Sequence, residues 1–312
     1  VAIATAELVV SMLGAKRSAW NAADIRGKAE VVLSQTALIT ESATRVELAE
    51  DITARAVARW MPLLSRSDVP DHVRSLTSST VLTVEDDLIV RLARRASHSP
   101  ALRRPDNLGT QRVPTGRDDA FDVLTSDARL VVVEGAAGAG KTTVLRSVRE
   151  RLAHTGRRAG RGAPTMRATD VAARETGAEG HSAAWLIHQH GWRWDHDGRW
   201  SRQPNPTPCE STALRPADLL LVDEAGMLDQ DTARALLTVA DEGGARVAFM
   251  GDRHQLPAVG RGGVLDHAVG YANPATVVTL ESVRRFSDPA YAILSLRMRE
   301  GYLSGEVFDA LV

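Results

Sequence analysis

The stretch Leu130-Val131-Val132-Val133-Glu134-Gly135-Ala136-Ala137-Gly138-Ala139-Gly140-Lys141-Thr142-Thr143 decides the fold. Its four leading apolar residues suit a strand buried on both faces of a parallel sheet. Leu145, Val148 and Leu152 then recur at helical spacing behind the glycines. Strand, glycine-rich turn and helix, in that order, are the setting that a phosphate-binding loop requires. Glycines let backbone N–H groups turn onto phosphate oxygens, and the helix N-terminus adds its partial positive charge. Gly135, Ala136, Gly138, Ala139, Gly140, Lys141, Thr142 and Thr143 are therefore candidate nucleotide-binding residues. Lys141 reaches the β- and γ-phosphate oxygens of a nucleotide such as ATP, and the Thr142 hydroxyl binds Mg2+. Of 38 basic residues only Lys16, Lys28 and Lys141 are lysines. A lysine kept where arginine is the default marks a place that arginine does not fill.

Outward from this stretch the same alternation continues. Residues 219–222, 247–250 and 277–280 are further short apolar runs. A helix starting near Asp229 carries Ala233, Leu236, Leu237 and Ala240 and ends at Gly243-Gly244. Strands alternating with helices predict an α/β fold with a parallel sheet covered on both faces, and ligands bind at the carboxyl ends of such strands. Chemistry-bearing residues stand at those ends. Asp223 and Glu224 follow the 219–222 run: the first can hold Mg2+, and the second can orient and deprotonate an attacking water. Gln255, behind Gly251-Asp252, can offer its amide to a γ-phosphate or a water. Arg284 and Arg285 follow the 277–280 run, where a guanidinium can neutralise a transferring phosphoryl group.

Upstream, residues 2–96 have a mainly helical pattern. Leu48, Ile52, Ala56 and Trp60 recur every four residues opposite Glu47, Asp51, Arg55 and Arg59, and Pro62 is expected to end that helix. Further helices are predicted over 24–38 and 84–95. Pro100, Pro105, Gly109, Pro114 and Gly116 mark a linker. A boundary near 112 thus separates a mostly α-helical domain, 1–112, from a nucleotide-binding domain, 113–312. The latter is expected to carry a hairpin insertion near 185–215, with Asp197-Gly198 as its turn and Trp192, Trp194 and Trp200 sharing one face. Those tryptophans either stack on bases of single-stranded DNA or form a small aromatic core.

The whole-chain balance excludes several classes. A formal net charge of -1 gives no global pull toward nucleic acid, so any polyanion site is local. The single Cys209 excludes an intramolecular disulfide framework and suits a reducing, cytoplasmic setting. No run of about 18 apolar residues is present to span a membrane. The sequence begins at Val1 and stops at Val312 inside an apolar-patterned stretch, which predicts a fragment.

The order and wording of four segments resemble motifs I to IV of RecD-like superfamily one DNA helicases. They are residues 133–143, Leu-Val-Asp-Glu-Ala-Gly-Met-Leu at 221–228, Gly-Asp-Arg-His-Gln-Leu-Pro-Ala-Val at 251–259, and Arg-Phe-Ser-Asp-Pro at 285–289. They are most similar to the helicase region of actinobacterial MobF-type (TraA/TraI-like) conjugative relaxases, and a looser likeness runs through Ser18-Ala-Trp-Asn and Ile25-Arg-Gly. The resemblance implies a RecA-like ATPase domain that moves along single-stranded DNA. Lys141 and Thr142 would bind phosphate and magnesium, Asp223 magnesium, and Glu224 would be the base. Gln255 would sense the γ-phosphate, Arg285 would be the motif IV arginine, and Pro164 and Thr165 would touch single-stranded DNA. It also implies a second, C-terminal RecA-like domain as partner, which the sequence does not contain.

The sequence departs from the family in two places. Residues 158–162, Arg-Ala-Gly-Arg-Gly, stand where an apolar strand is expected, and glycines with a buried arginine predict a weak or altered strand. Gly116-Arg117-Asp118-Asp119 stands where the family carries an adenine-reading glutamine, which puts adenine selectivity in question. Alternatives to a conjugative helicase are a RecD-like repair helicase, a non-catalytic nucleotide-binding module and a nucleotide kinase.

Overall fold

The computed structural model describes residues 2–36, 41–66, 68–98, 114–136, 138–163, 181–255, 258, 260–280 and 297. These fall into two units. The first comprises Val1–Asp87, Trp192–Pro204 and Val259–Arg261, and the second Leu88–Gly191, Asn205–Ala258 and Gly262–Val312.

In the first unit the helices Ala2–Gly14, Ala22–Gln35 and Ser42–Val57 enclose a core that includes Trp20, Ile25, Ala29, Ile52, Ala56 and Trp60. The second helix starts at a capping box. Asn21 Oδ1 accepts from the Asp24 amide at 2.9 Å, and the Asp24 carboxylate accepts from the Asn21 amide at 3.3 Å. The third helix ends at Val57, short of the expected stop at Pro62. Pro62 biases residue 61 toward extended backbone, and Met61–Pro62 pairs with Leu76–Thr77, so the chain must leave the helix earlier. Trp60 then packs edge-to-face on Trp20 at 4.0 Å between centroids. The helix Ser79–Ser97 begins five residues before the expected 84, because the Ser78 hydroxyl accepts from the Val81 amide at 3.2 Å. The division between units falls inside this helix, and the expected boundary near 112 lies outside the described residues.

The Trp192–Trp194 and Trp200–Arg202 hairpin belongs to this first unit, not to the nucleotide-binding domain in which the sequence places it. The turn explains why. Gly198 has φ +75°, and a Cβ there would collide with Ala15 and lie 3.3 Å from the Ser11 carbonyl, while Ser11 Oγ donates to the Asp197 carbonyl at 2.9 Å. Only glycine permits so close an approach of the turn to helix Ala2–Gly14.

The second unit is α/β, as expected. Six parallel strands run in the order Val277–Leu280, Leu130–Gly135, Arg246–Gly251, Leu219–Val222, Ala159–Ala163, His181–Ser182. Every residue of Leu130–Gly135 is buried, and since alternate side chains point to opposite faces, both faces are covered. Helices Gly116–Thr125 and Lys141–His154 share a core with the sheet through Val123, Leu124, Val144, Leu145, Val148 and Leu152. The helix Gln230–Glu242 starts where Asp229 accepts from the Thr232 amide at 2.9 Å.

Residues 159–163, expected as a weak or altered strand, form a strand of the sheet. Its ladder with Leu219–Val222 runs in register from Ala159↔Leu219 to Gly162↔Val222. The ladder uses backbone groups alone, which glycine supplies as well as any residue. Arg158 lies outside the strand, its guanidinium held by Asp218 at 2.8 Å and the Ala213 carbonyl at 2.7 Å. Helices Ala183–Gln189 and Val264–Tyr271 were not legible as elements in the sequence. No helix among the described residues is long and apolar enough to cross a membrane.

Candidate nucleotide-binding site

The phosphate-loop strand delivers the chain to the carboxyl edge of the sheet between the Val277–Leu280 and Arg246–Gly251 strands. Packing there is tight: a Cβ at Gly135 would lie 3.0 Å from Leu280 Cβ and 3.2 Å from Ala139 Cβ. Gly138 and Gly140 take φ of +82° and +90°, and these left-handed steps turn the chain into helix Lys141–His154. The first-turn amides of a helix have no partner within it, so those of Lys141, Thr142 and Thr143 face the loop's mouth. Lys141 Nζ donates to the Gly135 carbonyl at 2.8 Å, which folds the ammonium back across the loop. Ala136 and Ala139 are buried, and Ala137 lies outside the described residues.

Two strands away, the fully buried Leu219–Val222 strand ends at Asp223, whose Oδ1 accepts from the Glu224 amide at 3.0 Å. Glu224 sits in the left-handed region at φ 53°, ψ 39°. A non-glycine residue there costs about 1–3 kcal/mol, and such strain gathers at functional sites. A 3₁₀ turn, Ala225–Met227, follows and meets the next loop backbone to backbone. A Cβ on Gly226 would lie 2.7 Å from the Asp252 carbonyl oxygen, and one on Gly251 would lie 3.0 Å from the Ala225 nitrogen. Burial pushes the Glu224 carboxyl above its ordinary range; the Lys141 ammonium opposes that shift, and Asp223 and Asp252 add to it. Lys141, Asp223, Glu224 and Asp252 thus form one electrostatic neighbourhood.

Asp252 is buried and organises its loop. It accepts from the His254 amide at 3.1 Å and from Gln255 Nε2 at 3.3 Å, while Gln255 itself is exposed. Sequence reasoning missed the ion pair beside it. Arg253 grips the buried Glu134 with two bonds, Nε to Oε1 at 2.6 Å and a terminal nitrogen to Oε2 at 3.1 Å, and lies 3.7 Å from Asp266. The signal was a lone carboxylate closing an otherwise apolar strand. Arg117 was also unassigned. Its guanidinium lies over Gly140, where a Cβ would come within 2.7 Å of Cζ and Nε. Thr142 and Asp223 offer only oxygen donors, the set that suits magnesium.

Arg285, Pro164 and Thr165 lie outside the described residues. In the hairpin, Trp194 pairs with Trp200 and Trp192 with Arg202, so the three indoles share one face as expected. Trp194 and Trp200 stack at 5.1 Å, and the Arg202 guanidinium sits 5.4 Å above the Trp192 ring. Trp192 is buried in this cluster and Trp194 is 45% exposed, which leaves Trp194 as the indole open to a partner.

Residues 116–311 match the AAA domain family model. Conjugal transfer protein TraA of Agrobacterium fabrum is 27% identical over 51% of the chain and 13% of its own length. Multifunctional conjugation protein TraI of Escherichia coli is 30% identical over 57% of the chain and 10% of its length. ATP-dependent RecD2 DNA helicase of Deinococcus radiodurans is 32% identical over 50% of the chain and 20% of its length. The chain thus spans a fifth or less of these relatives.

Proposed function

The chain belongs to the AAA domain family, and on that premise we propose that its phosphate loop binds ATP with Mg2+ and that Glu224 activates the water that hydrolyses it. The observation that carries this is the glycine turn opening helix Lys141–His154 at the carboxyl end of the sheet, two strands from the buried strand that ends at Asp223 and Glu224. Lys141 exchanges its bond to the Gly135 carbonyl for phosphate oxygens, and the first-turn amides of Lys141–His154 hold the β-phosphate. Thr142 and Asp223 would hold the magnesium, which would supply charge neutralisation to the phosphates. Glu224 takes a proton from the attacking water; its raised proton affinity suits a base that must accept and later release a proton. Gln255, tethered to Asp252 in the loop that touches the Glu224 turn, reports the state of the γ-phosphate.

The protein carrying this chain uses that hydrolysis to move along single-stranded DNA in conjugative transfer, in the cytoplasm, together with a second RecA-like domain that closes over the ATP. The matched names support this: two relatives are conjugation proteins and one is a DNA helicase. A RecD-like repair helicase is the second reading, favoured by the 32% identity to RecD2. Arg285 serves the transferring phosphate, and Pro164, Thr165 and Trp194 contact the DNA strand. The test is ATP hydrolysis by this chain joined to a second motor domain, with and without single-stranded DNA. Stimulation by DNA that is lost in Lys141→Ala and Glu224→Gln supports a DNA-driven motor; ATP binding with no stimulation supports a non-catalytic module instead.

A further inference from the structure

We propose that the second unit carries a further anion site, a cavity that takes phosphate groups, at the end of the sheet opposite the phosphate loop. Arg91, Arg94, Arg95 and Arg129 supply its charge.

The cavity measures about 490 Å3 and lies wholly within the second unit. Arg129 and Ala245 line it, and each stands at the amino end of a central strand, Leu130–Gly135 or Arg246–Gly251. The phosphate loop leaves the carboxyl end of Leu130–Gly135. The six residues of that strand, about 20 Å of extended chain, therefore separate the two places.

The helix Ser79–Ser97 contributes Arg91, Arg94 and Arg95 at i, i+3 and i+4, so the three project from one face of its final turns. They converge on Asp241 near the end of helix Gln230–Glu242, Arg91 at 2.6 Å and Arg94 and Arg95 at 2.7 Å each. One guanidinium balances one carboxylate, and here three meet it. With Arg129, four guanidiniums line the cavity against two carboxylates, Asp241 and Glu242, and His98 adds an imidazole. Positive charge in excess within a concave place draws anions to it. The Arg95 side chain is 4% exposed and also donates to the Ala245 carbonyl at 2.9 Å. Burial pushes its guanidinium below the ordinary range; Asp241 opposes that shift, and Arg129 and Arg94 add to it. An arriving anion relieves this repulsion among the arginines. Arg94 and Arg129 are exposed, so an anion reaches them without breaking the Asp241 clamp.

The placement of the arginines selects the kind of anion. A carboxylate offers two oxygens in one plane, which a single guanidinium fork serves. A phosphate offers oxygens in several directions and can be held by arginines from separate elements at once. Here they come from the end of Ser79–Ser97 and from the residue before Leu130–Gly135. A cavity of this volume accommodates a small phosphorylated molecule, and a nucleic-acid strand presents the same group along its backbone. The formal net charge of -1 gives the chain no general pull toward either, so such binding is local to the cluster.

The test is calorimetric titration of the folded 312-residue chain with inorganic tripolyphosphate at fixed ionic strength, in a Lys141→Ala background that disables the phosphate loop. Arg94→Gln and Arg129→Gln are added singly. Arg55→Gln, at an exposed arginine of the first unit, controls for general charge, and every chain is checked for folding by circular dichroism. Saturable binding is expected, weakened about tenfold by each of Arg94→Gln and Arg129→Gln and unchanged by Arg55→Gln. A short oligothymidylate is then added in competition. Displacement of tripolyphosphate supports the site and assigns it to the phosphates of a nucleic-acid strand; tripolyphosphate that stays bound supports it and assigns it to a free phosphorylated molecule. No saturable binding, binding that both cluster variants leave within about twofold, or an equal loss in Arg55→Gln overturns the proposal and leaves the arginines as a clamp between two helices.

Discussion

Replacing Arg253 with methionine removes both hydrogen bonds that Glu134 receives from it, at 2.6 and 3.1 Å, and leaves the carboxylate at the end of the phosphate-loop strand. The Glu134 side chain is 7% exposed, so water cannot take the place of the lost guanidinium. Breaking a buried pair by removing one partner costs about 3–5 kcal/mol. Arg253 is 34% exposed, so water screens its end of the pair and lowers the expected loss to about 2–3 kcal/mol. For a unit of this size that is a fall in Tm of roughly 4–12 °C, read by scanning calorimetry. The companion variant Glu134→Gln removes the charge instead, and the double variant closes a thermodynamic cycle. The expected coupling is at least about 1.5 kcal/mol, because most of the loss in each single variant comes from the partner it strands. A coupling below about 0.5 kcal/mol would refute the reasoning, since it would mean the two groups act independently. The pair also joins the phosphate-loop strand to the loop carrying Gln255, so the same variants are expected to weaken nucleotide binding.

Other changes follow from the same geometry. Gly226→Ala places a Cβ 2.7 Å from the Asp252 carbonyl, a backbone atom that cannot swing aside. It is expected to cost about 1–3 kcal/mol in urea unfolding and to abolish hydrolysis by parting the two loops. Asp241→Ala leaves the Arg95 guanidinium, 4% exposed and 2.7 Å from the lost carboxylate, with the Ala245 carbonyl at 2.9 Å but without that counter-charge, while Arg91 and Arg94 lose bonds of 2.6 and 2.7 Å. A fall of about 3 kcal/mol is expected, and a urea midpoint equal to wild type would contradict it. Glu224→Gln tests the raised carboxyl. Folding holds the Glu224 proton more tightly than the unfolded chain does, so ionising it costs stability as pH rises above 4.5, fully so above the folded value. The glutamine variant is therefore expected to melt above wild type at pH 7 and to lose that advantage as pH falls through the raised folded value, with none left below 4.5; a variant less stable at pH 7 would contradict the shift.

The parallel strands were the most legible part of the fold. Leu219–Val222 coincides with its apolar run because a strand covered on both faces needs no alternation, whereas Val277–Leu280, at the end of the sheet, coincides with its run but is fully buried only at alternate residues. The phosphate-loop strand runs two residues past its apolar run, through Glu134, because the charge there is met by Arg253, 119 positions away. Pattern reading sees side chains one element at a time and misses such partners. The hairpin was misassigned for the same reason: its turn docks on Ser11, 186 residues upstream. Residues 158–162 read as a weak or altered strand, and the ladder that residues 159–162 make with Leu219–Val222 is a matter of backbone groups that side-chain pattern does not report. That Lys141, Thr142, Asp223 and Glu224 stand at strand ends was legible because their spacing from the apolar runs is fixed by the fold. The left-handed backbone of Glu224 left no trace in the sequence, since nothing but tertiary structure holds a glutamate there.

The central claim is that Lys141 and the loop around it bind a nucleoside triphosphate with magnesium. Its most direct test is equilibrium binding of fluorescent ATP to the folded chain, with magnesium and then with excess chelator, for wild type and Lys141→Ala. Saturable binding that weakens on chelation and is lost in the alanine variant is the expected result; binding indifferent to both changes would contradict it.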